Sequence, residues 1–381
     1  MKSVLRGIFC VVLIATGLAS CVSTEEVDLV VHNASIFTLN DQNEVFSAMA
    51  IRQGRIVEIG PEHQILNKYH ADEFLDLRKR PVLPGFVDAA SRAHFEYFQN
   101  LEREVHDTSW TRLFDQWSSL GYTGITLMDA NANYRDQWNR DSIPVRMNLM
   151  LHADSLNWQW LNRNGGLPDS LIQLNGLSFM DWSETTTGVF FDSSAEVSIA
   201  EIADVLDQMN CWVNLGVHSD SLYKMAQGVY AEVLAEVNDK RWSLTSYSPD
   251  RVSPKWLKKH SVLPLIAPVD FRPEKVDWLA LWKANHFLAA GSTGMIPQHP
   301  MEAYVHLVQA GLDRNESYKA LSRYPALLAG WDQCGRLEAG YWADFIITNR
   351  DPFNAPLEEL TQIEIRRTFV GGKPIYSSSR K

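Results

Sequence analysis

Cysteine is scarce in this chain: 381 residues hold four, Cys10, Cys21, Cys211 and Cys334. No two of them form a Cys-x-x-Cys pair and no zinc-finger spacing occurs, which excludes a structural zinc site built on sulfur. Basic charge is also in deficit, with 35 Lys and Arg against 46 Asp and Glu and a net charge of −11. That balance argues against nucleic acid, or an anionic bilayer, as an electrostatic partner. The apolar run Ile8 to Ala15 is too short to span a membrane. There is no Gly-x-Ser-x-Gly elbow, so the usual serine-hydrolase arrangement is not on offer. Short repeats and low-complexity tracts are missing too.

What is present is a globular chain long enough for one large domain and a small one. Tryptophan is frequent, with 13 residues, and core or loop packing is the first explanation for it. Short apolar-rich strands are predicted at Val27 to Val31, Ala34 to Leu39, Ala48 to Arg52, Arg55 to Ile59 and Phe74 to Leu77, with Gln53-Gly54 as a tight hairpin turn. Ile363 to Val370 and Lys373 to Tyr376 form a second hairpin through Gly371-Gly372. Neither terminal piece has enough strands to bury a core alone; together they do. Between them, strands alternate with helical patterns such as Ile199 to Met209 and Ser221 to Val237. The strands are Tyr122 to Met128, Ile143 to Leu151, Trp212 to Val217, Trp242 to Ser246, Val262 to Ala267 and Phe287 to Ala290, with Leu174 to Met180 and Val189 to Phe191 competing for one further place. Alternation of this kind predicts parallel βαβ units, and about eight strands close naturally into a (β/α)8 barrel.

The run Val82-Leu83-Pro84-Gly85-Phe86-Val87-Asp88-Ala89-Ala90-Ser91-Arg92 resembles the first barrel strand of the amidohydrolase superfamily, whose pattern is Pro-Gly-x-x-Asp-x-His-x-His. Gly335 to Ile347 resembles the same superfamily's Gly-x-(Leu/Ile)-x-x-Gly-x-x-Ala-Asp ending, and the branch it is most similar to is that termed amidohydrolase 3. The resemblance implies a TIM-like barrel over residues 81–334 and a discontinuous β-sandwich from residues 27–80 and 335–377. It also implies a metal-dependent hydrolase of carbon–nitrogen bonds, with His and carboxylate ligands at the C-terminal ends of the strands.

The ligand positions do not follow. Ala90 and Arg92 stand where the two histidines belong; Ser178 replaces the lysine, Ser246 falls in the Glu-His position and Thr293 replaces the final aspartate. Only His218, in His218-Ser219-Asp220, keeps a ligand position. Alanine cannot ligate, and a guanidinium repels a cation. The expectation is therefore a barrel with no catalytic metal and no cofactor, using Arg92, Asp88 and His218 to bind a small molecule or an envelope protein at its mouth. Asp88 is expected to pair with Arg92 or to cap a backbone group, and Asn157-Trp158-Gln159-Trp160 to help line the mouth. The competing expectation is a rebuilt site in which His152, His218, Asp129 and Asp181 hold one zinc-like divalent ion.

The N-terminus carries its own resemblance. Lys2 and Arg6, an apolar run and then Leu18-Ala19-Ser20-Cys21 are similar to a bacterial lipoprotein signal. This implies a signal over residues 1–20, a lipid on Cys21, a tether over residues 21–26 and an address in the cell envelope, at the outer membrane because Val22 and Ser23 follow the cysteine.

Overall fold

The computed structural model describes residues 24–92, 108–130, 143–152, 155–164, 171–179, 207, 212–217, 219–234, 241–246, 252–267, 277–293 and 297–379. The N-terminal strands are β1 (Glu25–His32), β2 (Ser35–Phe37), β3 (Val45–Phe46), β4 (Ala48–Arg52), β5 (Arg55–Gly60), β6 (Tyr69–Asp76) and β7 (Pro81–Pro84). The barrel strands are β8 (Phe86–Ser91), β9 (Tyr122–Ala130), β10 (Arg146–His152), β11 (Ile172–Phe179), β12 (Trp212–Val217), β13 (Ser243–Ser246), β14 (Leu263–Ile266) and β15 (Ala289–Ala290). The chain closes with β16 (Phe345–Thr348), β17 (Ile365–Val370) and β18 (Lys373–Ser377).

Two sheets make the small sandwich. One runs β5-β4-β1-β6 and the other β18-β17-β16-β7-β2-β3, so strands from both ends of the chain share a sheet. The joint is antiparallel pairing of β16 with β7, Ile346 opposite Leu83. The two hairpin turns fall where glycine permits left-handed backbone: Gln53-Gly54 has φ of 52° and 77°, and Gly371-Gly372 has 55° and 72°. Alternate residues point inward. Leu29, Val31, Met49 and Ile51 therefore meet Val82, Phe345, Ile347 and Phe369 in one buried cluster. Phe345 and Phe369 stack there at 4.3 Å.

The run Val82 to Val87 is divided between the two layers. Pro81–Pro84 belongs to the sandwich, and the first barrel strand starts at Phe86, past the bend at Gly85. A Cβ at Gly85 would lie 2.1 Å from Thr123, so glycine is what lets the chain cross there. Ile172–Phe179 supplies the fourth barrel strand; Val189 to Phe191 and most of Ile199 to Met209 lie outside the described residues.

Strands β8 to β15 form one parallel sheet in chain order, the arrangement of a (β/α)8 barrel. The seam between the first and last strands is made by loop contacts. Thr293 N–H donates to Ala90 O at 2.7 Å, and Ser292 N–H donates to Asp88 Oδ1 at 2.9 Å. The backbones approach closely enough that a Cβ at Gly291 would meet Ala90 N at 2.6 Å. Inside, Ala89, Ala90, Met128, Met150, Trp212, Leu265 and Ala289 pack as one apolar cluster. Among the described residues no helix is long and apolar enough to cross a membrane.

Candidate functional site at the barrel mouth

Catalytic groups in such barrels lie where the strands end. Here three charged or titratable side chains from three consecutive strands meet at that end. Arg92, just past β8, places Nη2 3.6 Å from Asp129 Oδ2 on β9. His152, closing β10, places Nδ1 3.6 Å from Asp129 Oδ1. The side chain of Asp129 is 1% exposed, that of Arg92 11% and that of His152 48%. Buried carboxylate, half-buried rim: the arrangement is an acid at the centre with two nitrogen groups around it.

The backbone beneath it is strained. Asp129 has φ of 53° and Thr293 has φ of 46°. Asp tolerates the left-handed region; a β-branched threonine is an outlier there. Such conformations persist where surrounding contacts over-determine them, and they cluster at functional sites.

Asp88 does not pair with Arg92. Its Oδ1 accepts the N–H groups of Ala90 at 3.0 Å and Ser292 at 2.9 Å, so the carboxyl caps backbone and ties the barrel seam. Burial pushes its pKa up, against the opposing pull of the bonds from Ser292 and Ala90. Asp88 thus caps backbone groups across the barrel seam, the second of the two roles expected for it. Arg92 lies four residue steps beyond Asp88, about 13 Å along an extended strand.

Ala90 is fully buried against the Met128, Met150 and Trp212 cluster. Ser178 is likewise fully buried, and among the described residues its hydroxyl has no hydrogen-bond partner; Ser246 and Thr293 are buried too. Asp181 and His218 lie outside the described residues, as do Cys21 and Cys211. Of the Trp-rich segment, Asn157 donates to His152 O at 2.9 Å and so buttresses the rim, while Trp160 packs against the core. Other tryptophans, Trp117, Trp242 and Trp278, are wholly core.

Among the described residues no three His, Cys, Asp or Glu side chains converge to hold a metal. The carboxylate that could serve, Asp129, already faces a permanent cation in Arg92. Pairing between His152 and Asp129 is the one element of the rebuilt site that the described residues bring together.

What the sequence did not flag is a second buried Arg–Asp pair at the opposite end of the barrel. Arg146, opening β10, is held by Asp344 through Nε at 2.6 Å and Nη2 at 3.0 Å. Gly371 N–H adds a further bond to Asp344 Oδ1 at 2.8 Å, and the Arg146 guanidinium lies over the Trp342 ring. Burial beside this pair raises the pKa of the Cys334 thiol. Asp344 belongs to the Ala-Asp motif near the C-terminus, so the signal was in view; its partner, 198 positions earlier, was not.

Comparison with known proteins agrees with the fold. Residues 279–376 match the profile of the Amidohydrolase family. Over 89 residues, 23% of this chain and 20% of the relative, the sequence is 28% identical to a 5-methylthioadenosine/S-adenosylhomocysteine deaminase from Lawsonia intracellularis. Over 100 residues, 24% of this chain and 23% of the relative, it is 36% identical to an imidazolonepropionase from Parabacteroides distasonis. These matches span less than a quarter of the curated relatives' length. The crystal structure of an adenosine deaminase from Xanthomonas campestris with bound zinc superposes with a TM-score of 0.67 at 15% identity, covering 92% of this chain and 93% of that one. The chain therefore has the amidohydrolase barrel fold over most of its length, and the sequence pattern of the Amidohydrolase family over residues 279–376.

Proposed function

We propose that this protein is a non-catalytic relative of the amidohydrolases that binds a small molecule at the barrel mouth, and that a lipid on Cys21 tethers it to the cell envelope. One observation carries the binding reading: where the resemblance expects metal ligands, Ala90 is packed in apolar contact and Arg92 is turned onto Asp129. A positive guanidinium at that point opposes a divalent ion, the more so in a partly dry cavity. What remains is a fold with a charged, strained and partly open mouth, and fold alone does not imply the reaction. Purified protein should contain far less than one zinc, manganese or iron per chain, and a chelator should leave its Tm unchanged. For the tether, Cys21→Ala should release the protein from the membrane fraction or block its processing; a variant that is processed and still fractionates with membranes would dispose of the lipid anchor.

A second reading is supported by the approach of His152 to Asp129. In it the protein is a hydrolase of carbon–nitrogen bonds with a relocated metal, drawing further ligands from His218 and Asp181. Stoichiometric metal that disappears in both His152→Ala and His218→Ala would decide for the hydrolase and against the binding protein.

A further inference from the structure

At the barrel seam, Asp88 has one carboxyl oxygen left over. Its Oδ1 takes the N–H groups of Ala90 and Ser292, while no described protein group bonds to Oδ2, and the residue is 2% exposed. A buried polar atom without a partner costs free energy, and in folded proteins such atoms are met by protein groups or by ordered water. Asp88 also lines a cavity walled by β8, by β15 and by the helix Pro300–Gln309. Room there for the centre of a water-sized sphere amounts to about 10 Å³, close to what a single water needs. Among the described residues its polar lining is Asp88, Tyr122, Ser292, Gln298 and His299, and the remainder is apolar or glycine.

We propose that this cavity is a site for one buried water molecule, which joins Asp88 Oδ2 to the Tyr122 hydroxyl. The site does not depend on what the barrel mouth binds. Tyr122 Oη donates its proton to Gln298 O at 3.1 Å, so the oxygen keeps lone pairs to accept from water. Burial, and after it the Asp88 charge, push the Tyr122 pKa well up, so that proton stays in place. Ser292 Oγ donates to Ala90 O at 3.4 Å and keeps acceptor capacity in the same way. His299 Nδ1 accepts the Met301 N–H at 3.2 Å, which puts the proton of the neutral ring on Nε2 as a donor. Burial lowers the His299 pKa and so favours that neutral form. The lining therefore offers the mixture of acceptors and donors from which a buried water takes its roughly three bonds. Water is selected over a cation by the carboxyl itself. Burial raises the Asp88 pKa, and water serves either form, donating to the carboxylate and accepting from the acid. A cation needs the ionised form and a shell of further oxygens. With the water in place, both oxygens of Asp88 tie the seam, Oδ1 through backbone N–H groups and Oδ2 through the water.

The test is a crystal structure of the purified full chain, at a resolution that orders internal water, from crystals soaked in rubidium chloride. It should show one ordered oxygen within about 3.2 Å of both Asp88 Oδ2 and Tyr122 Oη, with no anomalous signal at that point. Asp88→Leu should lose this oxygen, and magnetic relaxation dispersion of water in solution should count one long-lived molecule fewer in that variant than in the parent. Asp88→Asn keeps a polar atom at each carboxyl position and should retain the water, so the site is still tested if Asp88→Leu does not fold. The water site is overturned by a dry cavity in the parent, by a protein donor on Oδ2, or by an anomalous peak that marks a cation. An oxygen that persists in Asp88→Leu, or that is missing from Asp88→Asn, overturns it equally.

Discussion

Among the described residues the barrel carries a buried Arg–Asp pair at each end, and the two are bonded differently. At the floor, Arg146 and Asp344 are both 4% exposed, bonded through two nitrogens, and join the sandwich to the barrel. At the mouth, Arg92 and Asp129 touch once at 3.6 Å on strained backbone beside a half-exposed histidine. The difference teaches that a buried charge pair is read from its satisfaction, not from its composition. The first has its lone pairs filled by the guanidinium and by Gly371 N–H, and acts as a rivet. Among the described residues the second leaves both Asp129 oxygens without a hydrogen-bond donor.

The strongest way to break this comparison is to cut the floor pair. Asp344→Ala leaves a buried guanidinium uncompensated, and urea unfolding should show a loss of about 3–5 kcal/mol. If that variant is as stable as the parent, the rivet is not one.

Enlarging Ala90, where the resemblance expects a histidine, should cost less. Ala90→His forces a ring into the packed space near Met128, Met150 and Gly291, for a loss of about 1–3 kcal/mol. Combined with Arg92→His it should still recruit no stoichiometric metal, because residues that act as one constellation are not restored piecemeal. Metal analysis of the double variant checks this.

Cutting the mouth pair should cost less again. Asn tolerates left-handed backbone at least as well as Asp, so Asp129→Asn should change unfolding free energy by within about 1 kcal/mol. A loss as large as that of Asp344→Ala would erase the contrast between the two ends. Thr293→Asn sharpens the same point: relieving a β-branched residue at φ of 46° should stabilise the fold by up to about 1 kcal/mol.

The smallest effect is in pH. Burial raises the Asp88 pKa in the folded chain above its unfolded value of about 3.9. Between those two values the folded state binds more protons than the unfolded one. Its contribution is therefore full below the unfolded pKa and is lost as pH rises through the folded pKa. Asp88→Asn keeps an oxygen for the Ala90 and Ser292 N–H groups and removes the titration. Urea unfolding across pH 4 to 8 should show a flatter decline in the variant than in the parent; identical slopes would mean that Asp88 titrates alike in both states.

Strand existence was legible because it rests on local periodicity. Eight apolar segments between Phe86 and Ala290 read as strands, and all eight are there in chain order. Gln53-Gly54 and Gly371-Gly372 read as hairpins because only a few residue types accept positive φ. The site was half legible. Ala90, Arg92, Ser178, Ser246 and Thr293 were singled out by their residue types, and Asp129 and His152 were picked out at strand ends. Their meeting with Arg92 was not; for Asp88 the backbone cap was one of two roles in view, and its partner Ser292 was not.

By itself, then, the sequence determined most of the strand segments and the barrel class, with the fourth strand left between two candidates. These follow from side-chain chemistry and the period of two, both properties of neighbouring residues. Only the tertiary structure decided that Arg92 turns to Asp129, that Asp88 reaches Ser292 across 204 positions, and that Arg146 finds Asp344. Those choices depend on barrel closure, which sets strand ends side by side, and a one-residue change in register would point each of these side chains to the other face.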